Sequence, residues 1–300
     1  MKKILITGAN GFTGQHACQH FVQKGLQVAA VSRSSRSSIP QVQSWTCDLT
    51  KYEQVCEFIE QIQPDFVLHL AGRNAVAESW REPVVYLETN MMSTFYLLDA
   101  LRCVPHSRIV IVGSMLSYVR SETQTPPHPY SLSKSFQTWG AQGWAHLFEQ
   151  QIMIASPSNL IGPGPSNGIC GLLAHRAVQV ENGTNLAPFK LSSLVEERDY
   201  VDVRDAVAAY DRMLEGGVPG TIYPVASGEN RSLGQIAQTL QQQLVVELPI
   251  EAGQISFYTP PERINTALTK GLGWNPAIPL EVSLRDALTY YRQGLTNGQR

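Results

Sequence analysis

A glycine-rich turn near the start of the chain constrains the fold more than any other segment. Residues 4–6 are an apolar run, Ile-Leu-Ile, of the kind found in strands that are buried on both faces. Glycines then recur at every third position, at Gly8, Gly11 and Gly14. From Ala17 to Val22 apolar residues return at helical spacing, and Gly25 is suited to end a helix. The predicted order is therefore strand, glycine turn, helix.

This order suits a bound phosphate. A tight turn needs a positive φ, a phosphate needs the backbone close to it, and the following helix must pack on the strand. The helix N-terminus also offers N–H groups and a partial positive charge to a pyrophosphate. The sequence therefore predicts a dinucleotide site at Gly8, Asn10, Gly11, Phe12 and Gly14. An ordinary βα turn that binds no ligand is the alternative interpretation.

The composition narrows the classes of partner. Apolar residues make up 43% and charged residues 16% of the 300 residues, as in a folded globular protein. The net charge is −2 and there is no basic block, which argues against a nucleic-acid partner. No apolar run approaches the ~20 residues of a membrane-spanning helix, so we expect no membrane partner and a cytoplasmic location. The five cysteines are scattered, and we expect no metal site.

The end of the second predicted strand, Val28–Ser32, bears on the choice of cofactor. NAD-specific sites carry a carboxylate here that accepts hydrogen bonds from the ribose hydroxyls. This chain instead has Ser32 and Arg33, and a guanidinium binds a 2′-phosphate through charge-assisted hydrogen bonds. The sequence therefore favours NADP(H) over NAD(H). The alternative is that Arg33 and Arg36 belong to a solvated basic loop.

Strands and helices continue to alternate through the first half of the chain. Predicted strands span 42–47, 66–72 and 108–112, and predicted helices span 52–62 and 84–101. This alternation predicts an α/β fold with a Rossmann-type, doubly wound parallel sheet. Ligands bind such sheets beyond the carboxyl ends of the strands, where we expect Gly8, Arg33, Ala71 and Ser114 to lie. His69, which lies between leucines at a strand end, is expected to be structural.

Tyr130 and Lys134 are the predicted catalytic pair, with Ser114 beside them. They are four residues apart at the start of a predicted helix, so both side chains lie on one face. A free tyrosine has a pKa near ~10, and an ammonium one turn away should lower that pKa towards the operating pH of a general acid or base. Ser114 can hydrogen-bond the oxygen whose charge changes. A helix with an incidental Tyr and Lys is the alternative.

These motifs together resemble the extended, nucleotide-sugar-modifying branch of the short-chain dehydrogenase/reductase superfamily. The matching segments are Thr-Gly-x-x-Gly-x-x-Gly at 7–14, Gly-Ser at 113–114 and Tyr-x-x-x-Lys at 130–134. The resemblance implies that Asp48 and Leu49 lie against the adenine, although Asp48 is also suited to cap a helix. It further implies that Ala71 and Gly72 border the cofactor and that Lys134 reaches the nicotinamide ribose.

The second half of the chain continues the resemblance. Asn159 begins Asn-Leu-Ile-Gly-Pro-Gly, and Arg198 begins Arg-Asp-Tyr-Val-Asp-Val, and both segments match motifs of the family. The resemblance implies that Asn159 and Arg198 contact the diphosphate of the substrate. An ion pair of Arg198 with Asp199 or Asp202 is the alternative. Ser156 stands where the family has an arginine, which is a departure from the pattern.

The residues around Ser114 bear on the reaction. Dehydratases of the family carry a glutamate two residues after the catalytic serine, and here that position is Leu116, which cannot move a proton. The remaining resemblance is greatest to the GDP-4-keto-6-deoxy-mannose reductases. It implies that NADPH reduces the C4 ketone of a nucleotide-linked 4-keto-6-deoxyhexose. The alternatives are an NAD-dependent nucleotide-sugar 4-epimerase and, from another class, a non-enzymatic dinucleotide-sensing protein.

The sequence also suggests how the chain is organised. We expect a Rossmann domain at 1–158, with 199–228 packing back on it, and a smaller substrate-binding domain at 159–300. The resemblance implies a homodimer, in which the helices at 84–101 and 130–148 form a four-helix interface with a second subunit.

Overall fold

The chain divides into two compact units. The computed structural model describes residues 1–33, 39–117, 125–184 and 186–296. Arg36, which belongs to the predicted basic loop, lies outside the described residues. Unit 1 comprises Met1–Pro157, Val207–Val225 and Leu268–Trp274, and unit 2 comprises Ser158–Ala206, Ala226–Ala267 and Asn275–Arg300. The predicted division into two domains stays a prediction.

Strands and helices follow one another along the chain, in places as consecutive strands or consecutive helices. The strands are β1 (Lys3–Thr7), β2 (Gln27–Ser32), β3 (Val42–Thr46), β4 (Phe66–His69), β5 (Arg108–Val112), β6 (Gln151–Pro157), β7 (Asn159–Ile161), β8 (Phe189–Leu191), β9 (Glu197–Asp202), β10 (Ile222–Val225), β11 (Asn230–Ser232) and β12 (Ile250–Ala252). The helices are α1 (Phe12–Gln23), α2 (Tyr52–Ile62), α3 (Val76–Arg81), α4 (Pro83–Leu87), α5 (Ser93–Ala100), α6 (Pro129–Leu147), α7 (Ile169–Glu181), α8 (Val203–Gly216), α9 (Leu233–Gln241), α10 (Ala267–Lys270) and α11 (Leu280–Thr296).

Unit 1 is built on a seven-stranded sheet in the order β10-β6-β5-β4-β1-β2-β3. Every neighbouring pair in it is parallel. The chain runs outward from β1 through β2 to β3 and then returns to β4 on the other side of β1. This reversal makes the ends of β1 and β4 the topological switch point, where such sheets bind their ligands. The predicted Rossmann-type, doubly wound parallel sheet is confirmed.

Apolar residues of the strands and helices form the core of unit 1. Ile4, Leu5 and Ile6 of β1 have no exposed surface, as expected of a strand that is covered on both faces. α2 spans the predicted residues and buries Val55, Phe58, Ile59 and Ile62 on one face. Full burial of a side chain of this size contributes roughly 1.5–3 kcal/mol. The apolar side chains whose spacing predicted these strands and helices therefore also hold the sheet and its helices together.

The helix predicted over 84–101 is interrupted. α4 is followed by a π-helical turn, Glu88–Met92, before α5 begins, and a 3₁₀ turn, Leu101–Cys103, ends the segment. A π turn accommodates an extra residue in a helix and is frequent at functional sites. Asn90 lies within it and is fully buried. The sequence pattern did not predict this turn, because the apolar spacing on either side of it is compatible with one continuous helix.

Unit 2 has two small sheets and a separate core. Its three-stranded sheet has the order β11-β9-β7, with β9 parallel to β7 and antiparallel to β11, and β8 pairs with β12. Helices α7, α9 and α11 contribute apolar side chains that pack with those of the sheet, including Ile161, Leu173, Tyr200, Ile236 and Leu284. α9 begins at a capping box, in which Ser232 and Gln235 each accept a backbone N–H of the other.

Neither a membrane span nor a metal site is found in the parts of the chain that the structure describes. Within those ranges no helix is long and apolar enough to cross a membrane. The same residues contain no group of three His, Cys, Asp or Glu side chains that could hold a metal ion. The cytoplasmic location stays a prediction.

Gly14→Ala tests the packing of α1 on the glycine turn. A Cβ at this position would lie 2.2 Å from the Gly8 carbonyl oxygen and 2.7 Å from the Ala9 carbonyl carbon, which are backbone atoms that cannot rotate away. We expect the variant to lose roughly 1–3 kcal/mol of unfolding free energy, as overpacked sites do. Urea denaturation monitored by circular dichroism measures this.

Gly143→Ala is the matched control, because a Cβ there would meet nothing within 4 Å. Gly143 lies within α6, so alanine should stabilise the protein by roughly 0.5–1 kcal/mol. Equal effects of the two substitutions would contradict the packing argument.

Candidate active site

The glycine turn brings the end of β1 against the end of β4. Gly8 has a φ of +66°, and a Cβ on it would lie 2.8 Å from the Ala71 backbone nitrogen. The Gly11 N–H closes the turn by donating to the Gly8 carbonyl oxygen at 3.0 Å. A side chain at Gly8 or Gly14 would therefore meet backbone atoms, so both glycines are required sterically. Predicted cofactor residues from two different segments lie together here.

The N-terminus of α1 fits a pyrophosphate. Gly11 is the N-cap residue and has no side chain with which to occupy the N–H groups of the first turn. The first turn contains no acidic residue, so no carboxylate opposes an anion there. Asn10 and Phe12 flank Gly11: the Asn10 carbonyl accepts a hydrogen bond from Gln15 Nε2, and the Phe12 ring packs edge-on against His16. The cradle therefore fits the diphosphate of a dinucleotide.

Ser32 and Arg33 end β2, as predicted, and Arg33 is exposed. Burial tends to raise the pKa of Asp48, but hydrogen bonds from Thr50 and the positive charges of Lys51 and Arg33 lower it overall. Asp48 Oδ1 accepts from the Thr50 N–H at 3.1 Å and the Thr50 hydroxyl at 2.8 Å. The carboxylate thus closes a local turn. It does not cap α2, whose N-cap is Lys51, so the capping alternative for Asp48 is wrong.

Three further predicted cofactor residues come shortly after β3 and β4 in the chain: Leu49, Ala71 and Gly72. Leu49 is buried as part of the unit 1 core. The Ala71 N–H donates to Thr7 Oγ1 at 3.1 Å. A Cβ on Gly72 would lie 2.8 Å from Asn90 Oδ1 and 3.7 Å from Lys134 Nζ. Gly72 therefore lies beside the predicted catalytic lysine, where a larger residue would displace buried polar groups.

Tyr130 is buried close to Ser114. Burial raises the pKa of Tyr130, and the nearby Ser114 hydroxyl works against that rise. Tyr130 is 7% exposed. Ser114 Oγ accepts the Leu116 N–H at 3.1 Å, which fixes the serine side chain. Tyr130 is therefore a protonated phenol at neutral pH, beside the predicted serine.

Two aromatic rings flank the Tyr130 ring. Tyr86 packs edge-on at a centroid distance of 6.3 Å, and His128 stacks at 5.9 Å with an interplanar angle of 15°. His128 is also the N-cap of α6, where its Nδ1 accepts the Ser131 N–H at 2.9 Å. Burial lowers the pKa of His128. The neutral imidazole therefore starts α6 and packs on the tyrosine ring.

Lys134 lies one turn along α6 and is 6% exposed. Its Nζ donates to the Val112 carbonyl at 2.9 Å and to Gln137 Oε1 at 2.8 Å. Both acceptors are uncharged, and burial lowers the pKa of Lys134 to about 8. We predicted that Lys134 lowers the pKa of Tyr130, and here the direction is opposite. Burial dominates at Tyr130, while the lysine ammonium is itself desolvated and bound to other oxygens.

His69 is structural, as expected. Burial, with a smaller effect of the Lys134 charge, lowers its pKa to about 3, so the ring is neutral. Its Nδ1 lies 2.8 Å from Thr7 Oγ1 and its Nε2 lies 2.9 Å from Thr94 Oγ1. Both ring nitrogens are thus occupied inside the protein. The ring links the end of β1 to α5 and has no nitrogen left for a substrate.

The two predicted diphosphate contacts, Asn159 and Arg198, belong to unit 2. Asn159 Nδ2 donates to the Asp199 carbonyl at 2.9 Å, which ties β7 to β9. Arg198 is 44% exposed at its side chain and forms an ion pair with Glu196. It therefore pairs with neither Asp199 nor Asp202, the two partners of the alternative interpretation; Asp202 pairs with Arg204. Contact of Asn159 and Arg198 with a diphosphate stays a prediction.

Several residues that shape the site were not predicted. Asn90 Oδ1 accepts the Arg73 N–H at 2.7 Å, and its Nδ2 donates to Ser133 Oγ at 2.9 Å, so it joins the segment after β4 to α6. Gln137 contacts Lys134 directly. The spacing of Lys134 and Gln137, three residues apart on a helix, was a usable signal. The cap made by His128 had none, because histidine is not among the favoured N-cap residues.

The comparisons with known proteins agree with this geometry. The model of the NAD dependent epimerase/dehydratase family matches residues 4–226. The chain belongs to this family. The predicted family resemblance is therefore confirmed. The match runs from within β1 to just past β10 and includes the glycine turn and the Ser114, Tyr130 and Lys134 positions.

Individual members of the epimerase/dehydratase family align over nearly the whole chain. GDP-6-deoxy-D-mannose reductase of Pseudomonas aeruginosa is 26% identical over 311 residues, which cover 96% of this chain and 96% of that protein. UDP-glucose 4-epimerase of Bacillus subtilis is 26% identical over 289 residues, with coverage of 82% and 83%. The structure of RMD from Pseudomonas aeruginosa complexed with NADPH matches with a TM-score of 0.82 at 25% identity, covering 98% of this chain and 99% of that one.

The ionisation of Tyr130 can be measured directly. Because burial raises its pKa, we expect no tyrosinate from this residue below pH ~10 in the purified protein, as for a group above its ordinary pKa. The measurement is the ultraviolet difference between the titrations of the wild type and Tyr130→Phe. Ser114→Ala should raise the pKa of Tyr130 further, since it removes the hydroxyl that favours the phenolate. A phenolate signal near pH 7 that is lost in Tyr130→Phe would contradict the assignment.

Proposed function

We propose that the protein is an NADPH-dependent reductase of the C4 ketone of a nucleotide-linked 4-keto-6-deoxyhexose. The observation that carries the proposal is the burial of Tyr130 beside Ser114 and one helical turn before Lys134, which keeps the phenol protonated. The 26% identity to GDP-6-deoxy-D-mannose reductase over nearly the full length of both chains supports the choice of substrate class.

The residues of unit 1 divide the reaction between them. Bound NADPH would supply the hydride that reduces the ketone carbon. Tyr130 donates its hydroxyl proton to the carbonyl oxygen as that oxygen becomes an alcohol, and it recovers a proton from solvent afterwards. Ser114 orients the carbonyl by hydrogen bonding to the same oxygen. Lys134 supplies a positive charge near the phenolate that forms.

A tyrosine that keeps its proton suits the reductive direction. A ketone reductase must give a proton to the product oxygen, whereas an enzyme that first oxidises an alcohol must take one. Burial favours the protonated form of Tyr130. Leu116, whose N–H donates to Ser114 Oγ, has a side chain that can neither donate nor accept a proton. This supports reduction over dehydration.

NADP(H) is the proposed cofactor in preference to NAD(H). Arg33 follows directly after β2, and its charge acts on Asp48 across the neighbouring segment. A guanidinium in that place attracts a 2′-phosphate, and Ser32 adds no charge that would repel one. The relative named RMD is described in complex with NADPH.

Asn159 and Arg198 are the proposed diphosphate contacts of the substrate. Arg198 is 44% exposed at its side chain and its partner Glu196 is 25% exposed, so the ion pair is partly solvated. A substrate phosphate could therefore replace that partner. Ser156 in place of an arginine removes one positive charge from this set, so we expect the remaining guanidinium to matter more.

A homodimer is the proposed assembly. Phe136, Leu147 and Phe148 are large apolar side chains on or next to α6 that are exposed in the single chain. Exposed apolar groups clustered on one element are typical of protein interfaces. The helices at 84–101 and 130–148 are the ones that the family resemblance places between subunits.

An NAD-dependent nucleotide-sugar 4-epimerase is the second candidate. The same tyrosine, lysine and serine serve that reaction, and the Bacillus subtilis relative is an epimerase of this kind at the same 26% identity. Arg33 disfavours it, because an epimerase that retains NAD has no 2′-phosphate to bind. A non-enzymatic sensor is a distant third, since a sensor does not need a buried Tyr130 beside Ser114.

The proposed reaction predicts stoichiometric NADPH oxidation. We expect absorbance decay with one member of a panel of GDP-, UDP- and dTDP-linked 4-keto-6-deoxy sugars. Tyr130→Phe should lower kcat by at least ~100-fold, the usual contribution of a positioned general acid. Tyr290→Phe, in unit 2, is the matched control and should leave kcat unchanged. Tightly bound NAD with no net oxidation of NADPH would favour the epimerase instead.

The proposed role of Arg33 predicts a change in cofactor preference. Arg33→Ala should raise the KM for NADPH by roughly tenfold or more, the effect of losing a charge-assisted hydrogen bond. The KM for NADH should stay nearly constant, because NADH has no 2′-phosphate. Arg212→Ala removes another exposed arginine and is the control. An equal rise in the KM for both cofactors would show that Arg33 does not bind the 2′-phosphate.

A further inference from the structure

We propose that Gln137 is a positioning residue for the lysine of the active site, an inference that rests on the proposed function. Gln137 has no exposed surface. Its Oε1 accepts a hydrogen bond from Lys134 Nζ at 2.8 Å, and its Nε2 donates to Thr94 Oγ1 at 2.8 Å. It thereby connects the ammonium to α5, an element that carries none of the predicted catalytic residues.

The direction of each hydrogen bond behind Gln137 is determined by its neighbours. Thr7 Oγ1 accepts the N–H groups of Leu70 and Ala71, so its single proton points to His69 Nδ1 at 2.8 Å. His69 must then carry its proton on Nε2, which donates to Thr94 Oγ1 at 2.9 Å. The tautomer of the buried histidine is therefore fixed from the end of β1.

Thr94 passes this orientation on to Gln137. Its hydroxyl proton is donated to the Asn90 carbonyl at 2.7 Å, one turn earlier in the helix. Thr94 Oγ1 is then an acceptor for both His69 and Gln137, so the amide must present its NH₂ group to Thr94. The carbonyl oxygen of Gln137 is consequently the atom left for Lys134. An amide in the reverse orientation would place NH₂ against an ammonium.

These hydrogen bonds orient the Lys134 ammonium without neutralising its charge. The Gln137 oxygen and the Val112 carbonyl are dipoles, whereas a carboxylate would hold the ammonium as a closed ion pair. The lysine keeps its third N–H and its net charge for groups on the Gly72 side. The charge of Lys134 reaches the titratable His69 side chain on β4.

Two substitutions at Gln137 distinguish an effect on the orientation of Lys134 from an effect on core packing. Gln137→Leu keeps the volume and removes both hydrogen bonds. Gln137→Glu keeps an oxygen for Lys134 but adds a charge, and it presents a second oxygen to Thr94 Oγ1, whose proton is already donated to Asn90. Gln150→Leu is the matched control, because Gln150 is another buried glutamine of unit 1 and donates to the Leu98 carbonyl.

The primary readout does not depend on turnover. Trace acetylation with acetic anhydride across a pH series, followed by peptide mass spectrometry, gives the midpoint at which Lys134 becomes reactive. Gln137→Leu removes a hydrogen bond to the charged form, so its midpoint should move down by about one pH unit. Gln137→Glu should move the midpoint up. The midpoint for Gln150→Leu should match the wild type.

The kinetic readout then ties Gln137 to the reaction. We expect both Gln137 variants to lower kcat by roughly 10- to 100-fold, with urea midpoints near that of Gln150→Leu. An unchanged Lys134 midpoint in both Gln137 variants would overturn the proposal. If Gln137→Leu does not fold, the Gln137→Glu midpoint alone decides. Shifted midpoints in a protein that reduces no ketosugar would support the positioning role and reject the proposed function.

Discussion

The close approach of the β1–α1 turn to the end of β4 is the contact on which the rest of unit 1 depends. Gly8 at a φ of +66° and the absence of a side chain at Gly14 allow backbone to lie against backbone. The same approach places the Thr7 hydroxyl where it receives two N–H groups from the segment after β4. The turn that suits a pyrophosphate therefore also begins the hydrogen-bond network that ends at Lys134.

Desolvation sets the electrostatics of this site more strongly than any ion pair does. It raises the pKa of Tyr130 and lowers those of His69 and Lys134. Each direction favours the uncharged form. Hydrogen bonds from neutral groups stabilise these buried side chains and orient them. They leave the positive charge of Lys134 unneutralised. Because the site has few charges of its own, the charges of a bound ligand have a large effect on its electrostatics.

The fold of unit 1 and the glycine turn were predictable because local patterns determine them. The apolar run at 4–6, the glycines and the helix at 52–62 each follow from periodicity or turn chemistry. The π-helical turn, the stacking of His128 on Tyr130 and the Gln137–Lys134 contact were not predictable in the same way, since they depend on which elements meet in three dimensions. The pKa of Tyr130 was predicted to be lowered and is raised instead, because sequence spacing indicates proximity but carries no information on burial.

The π-helical turn at Glu88–Met92 also sets the angular phase between the two halves of its helix. Each residue of an α-helix advances the side-chain direction by about 100°, so one extra residue rotates everything after the turn relative to everything before it. Tyr86 lies before the turn, with its ring against Tyr130, and Thr94 lies after it, bonded to His69 and Gln137. The turn lets one helix present each of them to its partner. The irregular turn thus keeps side chains from both helical segments oriented towards their partners in the site.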